Sequence, residues 1–141
     1  MISTLLIAWC LLALTVTIHA AGLSALLPVI SSALPARRFL PVTWLLLRVA
    51  WRLVLLHLAE IIVWGLFYWW QKCLPDAESS FYFSAVTYTT VGYGDLVLPQ
   101  EWRLVGAVEG LTGILMCGLS TGLFFAVVSK YLAAASASEQ D

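Results

Sequence analysis

The residues of this chain best placed to do chemistry are not side chains that attack a bond or shuttle a proton. They form the run Thr89-Thr90-Val91-Gly92-Tyr93-Gly94-Asp95, whose useful groups are backbone oxygens. In an ordinary strand successive carbonyls point to opposite sides. Turning several to one side requires an alternation of right- and left-handed backbone, and glycine adopts the left-handed form without a Cβ clash. Gly92 and Gly94 therefore let the carbonyls of Thr90, Val91, Gly92 and Tyr93 line one side, with the Thr90 hydroxyl adding an oxygen at the inner end. Four such strands around an axis would replace the hydration shell of a cation with fixed oxygens. Asp95 adds negative charge at the outer mouth. Tyr93 is expected to project away from the axis and brace against Tyr82, Phe83 and Tyr88.

Such a segment needs elements that hold it at the right depth. Residues 80–89 read as a short amphipathic helix of roughly 15 Å, half the thickness of a bilayer. Lipid satisfies no backbone N–H or C=O, so a half-length helix followed by irregular chain persists at membrane depth only where protein buries it or water reaches it. The helix would point its C-terminal end, with its partial negative charge, toward the membrane centre and a cation waiting there.

Apolar runs flank this piece. Residues 1–36 contain no Asp, Glu, Lys or Arg, and the core from Thr4 to Ile30 exceeds the roughly 20 residues a spanning helix needs. A secretory signal peptide is the competing reading, because Ile18-His19-Ala20 resembles a cleavage site, but the run has no positive n-region and exceeds the about 7–15 residues of an h-region. Pro28, Pro35 and Pro41, with Arg37 and Arg38, mark a cytoplasmic linker over 31–42 that breaks the helix. A second span covers 43–70, with Trp44, Trp69 and Trp70 near its ends as interfacial anchors. Residues 71–80 form a polar loop, 102–130 a third span, and 132–141 a short cytoplasmic tail.

Ionisable residues inside the spans are functional candidates by default. Glu109 lies about 12 Å below Glu101 along the third span, level with the back of the Thr90–Gly94 strand. It is expected to brace the short helix or that strand, and its titration would make the chain respond to pH; a purely structural hydrogen bond is the alternative. His57 and Glu60 share a helix face at i, i+3 and read as a mutually satisfied buried pair, too few for a metal. His19 reads as solitary and structural. Cys73 is expected to face the outside as a free thiol, where it would also be able to cross-link subunits.

Composition sets the class. Of 141 residues, 62% are hydrophobic and 11% charged, against about 45–50% and about 25% in soluble domains. A chain this small cannot bury that apolar surplus in a core of its own, so it faces lipid. Seven Lys and Arg against eight Asp and Glu provide no basic field for nucleic acid. The three cysteines lack metal-ligand spacing and disulfide arithmetic. Neither a nucleophile–base pair nor a carboxylate cluster suggests an enzyme, and no cofactor is expected beyond the permeant ion.

The motif Thr-Val-Gly-Tyr-Gly-Asp after a short aromatic helix resembles the signature of potassium channels, and the order apolar helix, re-entrant helix, filter, apolar helix is similar to the pore module of small bacterial members of the ion-channel-2 type. The resemblance covers about residues 43–131. It implies an all-α integral membrane protein that assembles as a homotetramer in a bacterial inner membrane and passes K⁺ passively. The module would have an outer helix over 43–70, a pore helix over 80–89, a filter over 90–94 and an inner helix over 102–130. The resemblance also implies that K⁺ is bound by Thr90, Val91, Gly92, Tyr93 and Gly94, supported by Asp95, Glu109, Tyr82, Phe83 and Tyr88, and that Gly113 falls near the family's usual gating hinge. Its partners would be copies of itself and membrane lipid.

Two features depart from that pattern: an extra N-terminal span over 1–30, expected at the periphery, and no recognisable gating module. Arg48 and Arg52 are four apart and do not form a voltage sensor. With the filter open to the outside, Arg37, Arg38, Arg48, Arg52 and Lys130 lie on the cytoplasmic side and only Lys72 and Arg103 outside, as the positive-inside rule requires. The N-terminus is then external. Thr112, Ser120 and Thr121 would offer hydroxyls to a water-filled cavity, and Phe124 and Phe125 an apolar constriction at the inner end, unless these residues serve only helix packing. A non-conducting membrane adaptor that keeps the fold is the alternative function.

Overall fold

The computed structural model describes residues 2–33 and 39–137. Within them all the regular structure is helical: α1 (Ile2–Ala33), α2 (Phe39–Trp70), the short α3 (Ala77–Tyr88), a single 3-10 turn (Gln100–Trp102) and α4 (Arg103–Ala137). The segments Ile2–Ile30 and Gln100–Ala133 are long and apolar enough to cross a membrane. At 32 residues α2 is as long as α1, but its polar interruptions Arg48, Arg52 and Glu60 set it apart.

Both long-helix boundaries around the first connection differ from expectation. Pro28 lies inside α1 rather than ending it. Its neighbours in space explain why: Leu26 and Ile30 are buried against Leu45, Val49 and Leu53 of α2 and Val127 of α4, so packing on two helices offsets the hydrogen bond that proline removes. Pro41 falls in the first turn of α2, where its missing N–H would have had no intrahelical partner anyway. Helix thus extends into the expected 31–42 linker from both sides, to Ala33 and from Phe39, and Pro35, Arg37 and Arg38 lie outside the described residues.

Three long helices pack side by side in alternating direction, which the order of their contacts makes plain. One cluster joins Ala8 of α1, Trp64 and Tyr68 of α2, Phe83 and Tyr88 of α3, and Val105 and Met116 of α4. A second, toward the other end, joins the lower parts of α1, α2 and α4. Between the two lies a layer of buried polar groups: Thr15, His19, Glu60 and Ser120. Much of the remaining apolar surface is open, including Trp51, Trp70 and Phe125, as expected of a protein whose solvent is lipid.

The helix α3 starts three residues before the expected 80, because Asp76 caps it. The Asp76 Oδ1 accepts from the Ser79 N–H at 2.7 Å and the backbone of Asp76 is extended, the geometry of an N-cap. That hydrogen bond from the Ser79 backbone holds the Asp76 carboxyl below its ordinary range. Because its folded value lies below the unfolded one, the stabilisation is complete above the ordinary Asp range and fades as pH falls through the depressed value. Asp76→Ala should lower the melting temperature at neutral pH and Asp76→Asn should retain most of it, with the difference between wild type and Asp76→Ala shrinking in acid when thermal unfolding is followed by circular dichroism.

Candidate functional site

The helix α3 descends from Asp76, beside the end of α2, to Tyr88, whose hydroxyl reaches Glu60 and His57 in the middle of α2. There it stops. The Thr89 N–H bonds the Ala85 carbonyl at 3.1 Å, Thr90 N–H the Thr87 carbonyl at 3.0 Å and Gly92 N–H the Val86 carbonyl at 3.0 Å. These bonds fold the chain back along the end of the helix and begin a segment with positive φ at every second residue: Thr90 at 61°, Gly92 at 53° and Gly94 at 76°. Glycine takes such angles freely, whereas a β-branched threonine does so only where its surroundings impose it. The segment 89–95 is exposed, Val91 by 51% and Tyr93 by 72%, and an added Cβ at Gly92 or Gly94 would meet nothing within 4 Å.

Tyr93 is 72% exposed in the single chain, and the three rings expected to brace it are each bonded or packed elsewhere. Tyr82 donates its hydroxyl to Asp95 Oδ2 at 2.8 Å, so it anchors the carboxylate that follows the strand. Phe83 turns inward, edge-on to Tyr68 at 5.3 Å between ring centres, and Tyr88 is spent on the polar layer. Phe83 and Tyr88 thus have partners inside the bundle, and Tyr82 has one in Asp95.

Glu109 is fully buried and joins three helices. Its Oε1 accepts from the Ser84 hydroxyl of α3 at 2.6 Å and its Oε2 from the Tyr68 hydroxyl of α2 at 2.8 Å. Ser84 Oγ also lies 2.9 Å from the Ile61 carbonyl, so α3 is fastened to α2 and α4 at one point. One turn further along α4, Gly113 touches the other end of α3: a Cβ there would run into the Tyr88 carbonyl. The residue assigned to a hinge thus has a packing task, the close passage of α4 past the residue from which the strand departs.

The polar layer differs most from expectation. His19 is not solitary: its Nδ1 lies 2.8 Å from Glu60 Oε1. Glu60 Oε2 accepts from the Tyr88 hydroxyl and lies 3.4 Å from His57 Nδ1, so the pair expected within α2 is a cluster spanning three helices. Ser120 Oγ, from α4, completes it at 3.0 Å from His57 Nε2 and 3.4 Å from His19 Nε2. Nearby, Trp64 Nε1 donates to Thr15 Oγ1 at 3.0 Å. The first helix therefore supplies interior groups to the bundle of its own chain. The missed partners, His19, Tyr68, Ser84 and Ser120, carried one usable signal: a carboxylate amid an apolar helix demands donors at its own depth, and His19 sits at the middle of α1.

Other expectations change for similar reasons. Thr112 and Ser120 are buried within the chain, and Thr112 donates back to the Val108 carbonyl at 2.7 Å, so neither faces a cavity; Thr121 is exposed. Phe124 packs against the second cluster, while Phe125 is exposed. Cys73 is buried, with its thiol pushed up to about 11 by that burial, which removes it as a ready cross-linker.

The described residues form an all-helical bundle with long apolar helices, in which a short helix leads into an exposed, glycine-punctuated segment. Residues 56–130 match the family model Ion_trans_2, described as Ion channel, and the chain belongs to that family. The matched region takes in the second half of α2, all of α3, the segment after it and most of α4, and leaves α1 outside. No curated protein and no solved structure matches the chain. The protein is an ion channel of the membrane, and its family activity is conduction rather than catalysis.

Two consequences are measurable in detergent. Glu109→Leu leaves the buried Tyr68 hydroxyl without an acceptor and should destabilise the fold by about 1–3 kcal/mol; adding Tyr68→Phe should cost little more, a non-additive cycle by thermal unfolding. Gly113→Ala, which must separate α4 from α3, should cost about 1–3 kcal/mol, whereas Gly118→Ala, with open space around it within the chain, should be tolerated.

Proposed function

We propose that the chain assembles as a homotetramer and conducts K⁺ selectively and passively, with Thr90, Val91, Gly92, Tyr93 and Gly94 as the filter. One observation carries this reading: the alternation of positive φ at Thr90, Gly92 and Gly94 immediately after a half-length helix. Alternating handedness is what turns successive carbonyls toward one side, and a dehydrated cation needs several oxygens at once. A single chain supplies one wall, so closure requires copies, and four is the number that fits a filter of this type.

In this reading α1, α2 and α4 cross the membrane and α3 is the re-entrant pore helix. Its last residue lies at the depth of Glu60, so the negative end of its dipole is set toward the middle of the span, where it favours a cation. Asp95, held by Tyr82, sets negative charge at the outer mouth. Glu109 acts as a positioning residue through Ser84 and not as a ligand. The exposed face of α4, with Leu111, Ile114, Leu115, Leu119 and Phe125, is left for the pore and for neighbouring copies; Phe125 is the remaining candidate for an inner constriction. Tyr93 finds its bracing partners on an adjacent copy. Positive-inside bias supports an external N-terminus and a cytoplasmic C-terminus in a bacterial inner membrane.

The test is flux from liposomes holding the purified protein under matched K⁺ and Na⁺ gradients. K⁺ flux should exceed Na⁺ flux strongly and be blocked by Ba²⁺. Gly94→Ala, which forces a Cβ into left-handed backbone at about 1–2 kcal/mol per strand, should abolish the preference. Equal flux of the two ions, indifferent to Ba²⁺, would overturn the reading.

A further inference from the structure

We infer that His19, His57 and Glu60, with the Tyr88 hydroxyl, form a binding site for a divalent transition-metal ion of the zinc class, which pins α1 to α2 and to the end of α3. The inference stands on the geometry of the polar layer and does not depend on which cation the pore conducts.

One donor atom from each of His19, His57 and Glu60 lies within 4.8 Å of the others. The separations are 2.8 Å for His19 Nδ1 to Glu60 Oε1, 3.4 Å for His57 Nδ1 to Glu60 Oε2 and 3.0 Å for His57 Nδ1 to the Tyr88 hydroxyl oxygen. Ligands at the about 2.0–2.1 Å typical of zinc would stand about 3.3 Å apart at the corners of a tetrahedron, close to these distances. Two imidazoles and a carboxylate are a familiar zinc donor set that leaves a fourth position open; the Tyr88 hydroxyl, which donates to Glu60, borders it.

The outer contacts favour the same assignment. A metal-binding histidine ordinarily uses its second ring nitrogen to bond a group that fixes its orientation. Here both imidazoles turn Nδ1 toward Glu60 and Nε2 toward one hydroxyl, Ser120 Oγ, at 3.0 and 3.4 Å. Two rings from different helices that share both an inner carboxylate and an outer orienting group have the arrangement of a ligand pair. Glu60 and His19 are almost wholly buried and the His57 side chain is 19% exposed, so His57 marks the way in for an ion. Binding displaces the hydrogen bonds among the donors, and any proton held on a coordinating atom passes to solvent.

The test uses the full chain in detergent, stripped with a chelator and dialysed against Zn²⁺. Wild type should retain one ion per chain, and His19→Gln and His57→Gln should each weaken binding by about tenfold or more, with Ser120→Ala, outside the ligand set, weakening it less. Co²⁺ in place of Zn²⁺ should give wild type the intense visible absorption of a tetrahedral site, which needs no variant to fold. Absence of that band, no Zn²⁺ retained by wild type, or equal retention by all variants would overturn the proposal and leave the cluster a hydrogen-bond network only.

Discussion

A carboxylate in the middle of an apolar bundle is expensive to bury and cannot be left without donors. Glu60 meets this constraint with groups from three helices: His19 of α1, Tyr88 of α3 and its own neighbour His57. The consequence reaches beyond electrostatics. Tyr88 is the last residue of α3, two positions before the first left-handed residue of the strand, so the demand of Glu60 for a donor fixes the depth at which the helix ends. The same demand recruits α1, which lies outside the family match, into the interior. Moving any of these helices by one turn would leave a buried charge without a partner, so the layer sets register as well as stability.

Glu109 repeats the device one layer up. It holds the middle of α3 through Ser84 while Glu60 holds its end, and both carboxylates are bonded to a tyrosine. Two fixed points define the direction of a short helix where one would leave it free to pivot. Gly113 then lets α4 come close enough to meet the backbone of Tyr88. The strand therefore leaves a helix end that is held by a side-chain bond on one side and by backbone contact on the other. Precise placement of oxygens around an ion requires such a base, because a displacement of a fraction of an ångström changes which ion is well solvated.

What the sequence made legible is local. Gly92 and Gly94 announce left-handed backbone because no other residue type takes it so readily, and the half-length of the helix before them follows from counting. Thr90 was not legible in this way, since its left-handed angle is imposed by the fold-back of Thr90 and Gly92 N–H groups onto the end of α3. Pro28 misled for the converse reason: a local rule predicts a break, and burial of Leu26 and Ile30 on either side overrides it. The partnership of His19 with Glu60 spans 41 positions, and helical spacing within α2 pointed instead to His57. Thr112 and Ser120 were assigned to a cavity by polarity alone, although a hydroxyl in an apolar bundle serves equally well inside it. Side chains whose role depends on which helix lies opposite are readable only once the helices are placed.

The unmatched surfaces of the single chain argue for how it completes itself. Lipid can cover the exposed leucines and isoleucines of α4, because they ask only for an apolar neighbour. It cannot cover the segment 89–95 so simply, because beyond the N–H groups of Thr89, Thr90 and Gly92, which bond α3, the exposed backbone asks for polar partners or water. In the proposed assembly, symmetric closure on copies of the same segment would give each wall an identical opposite and leave a hydrated path along the axis. The geometry that makes the strand untenable in a lone chain is thus the geometry that makes it useful in a ring.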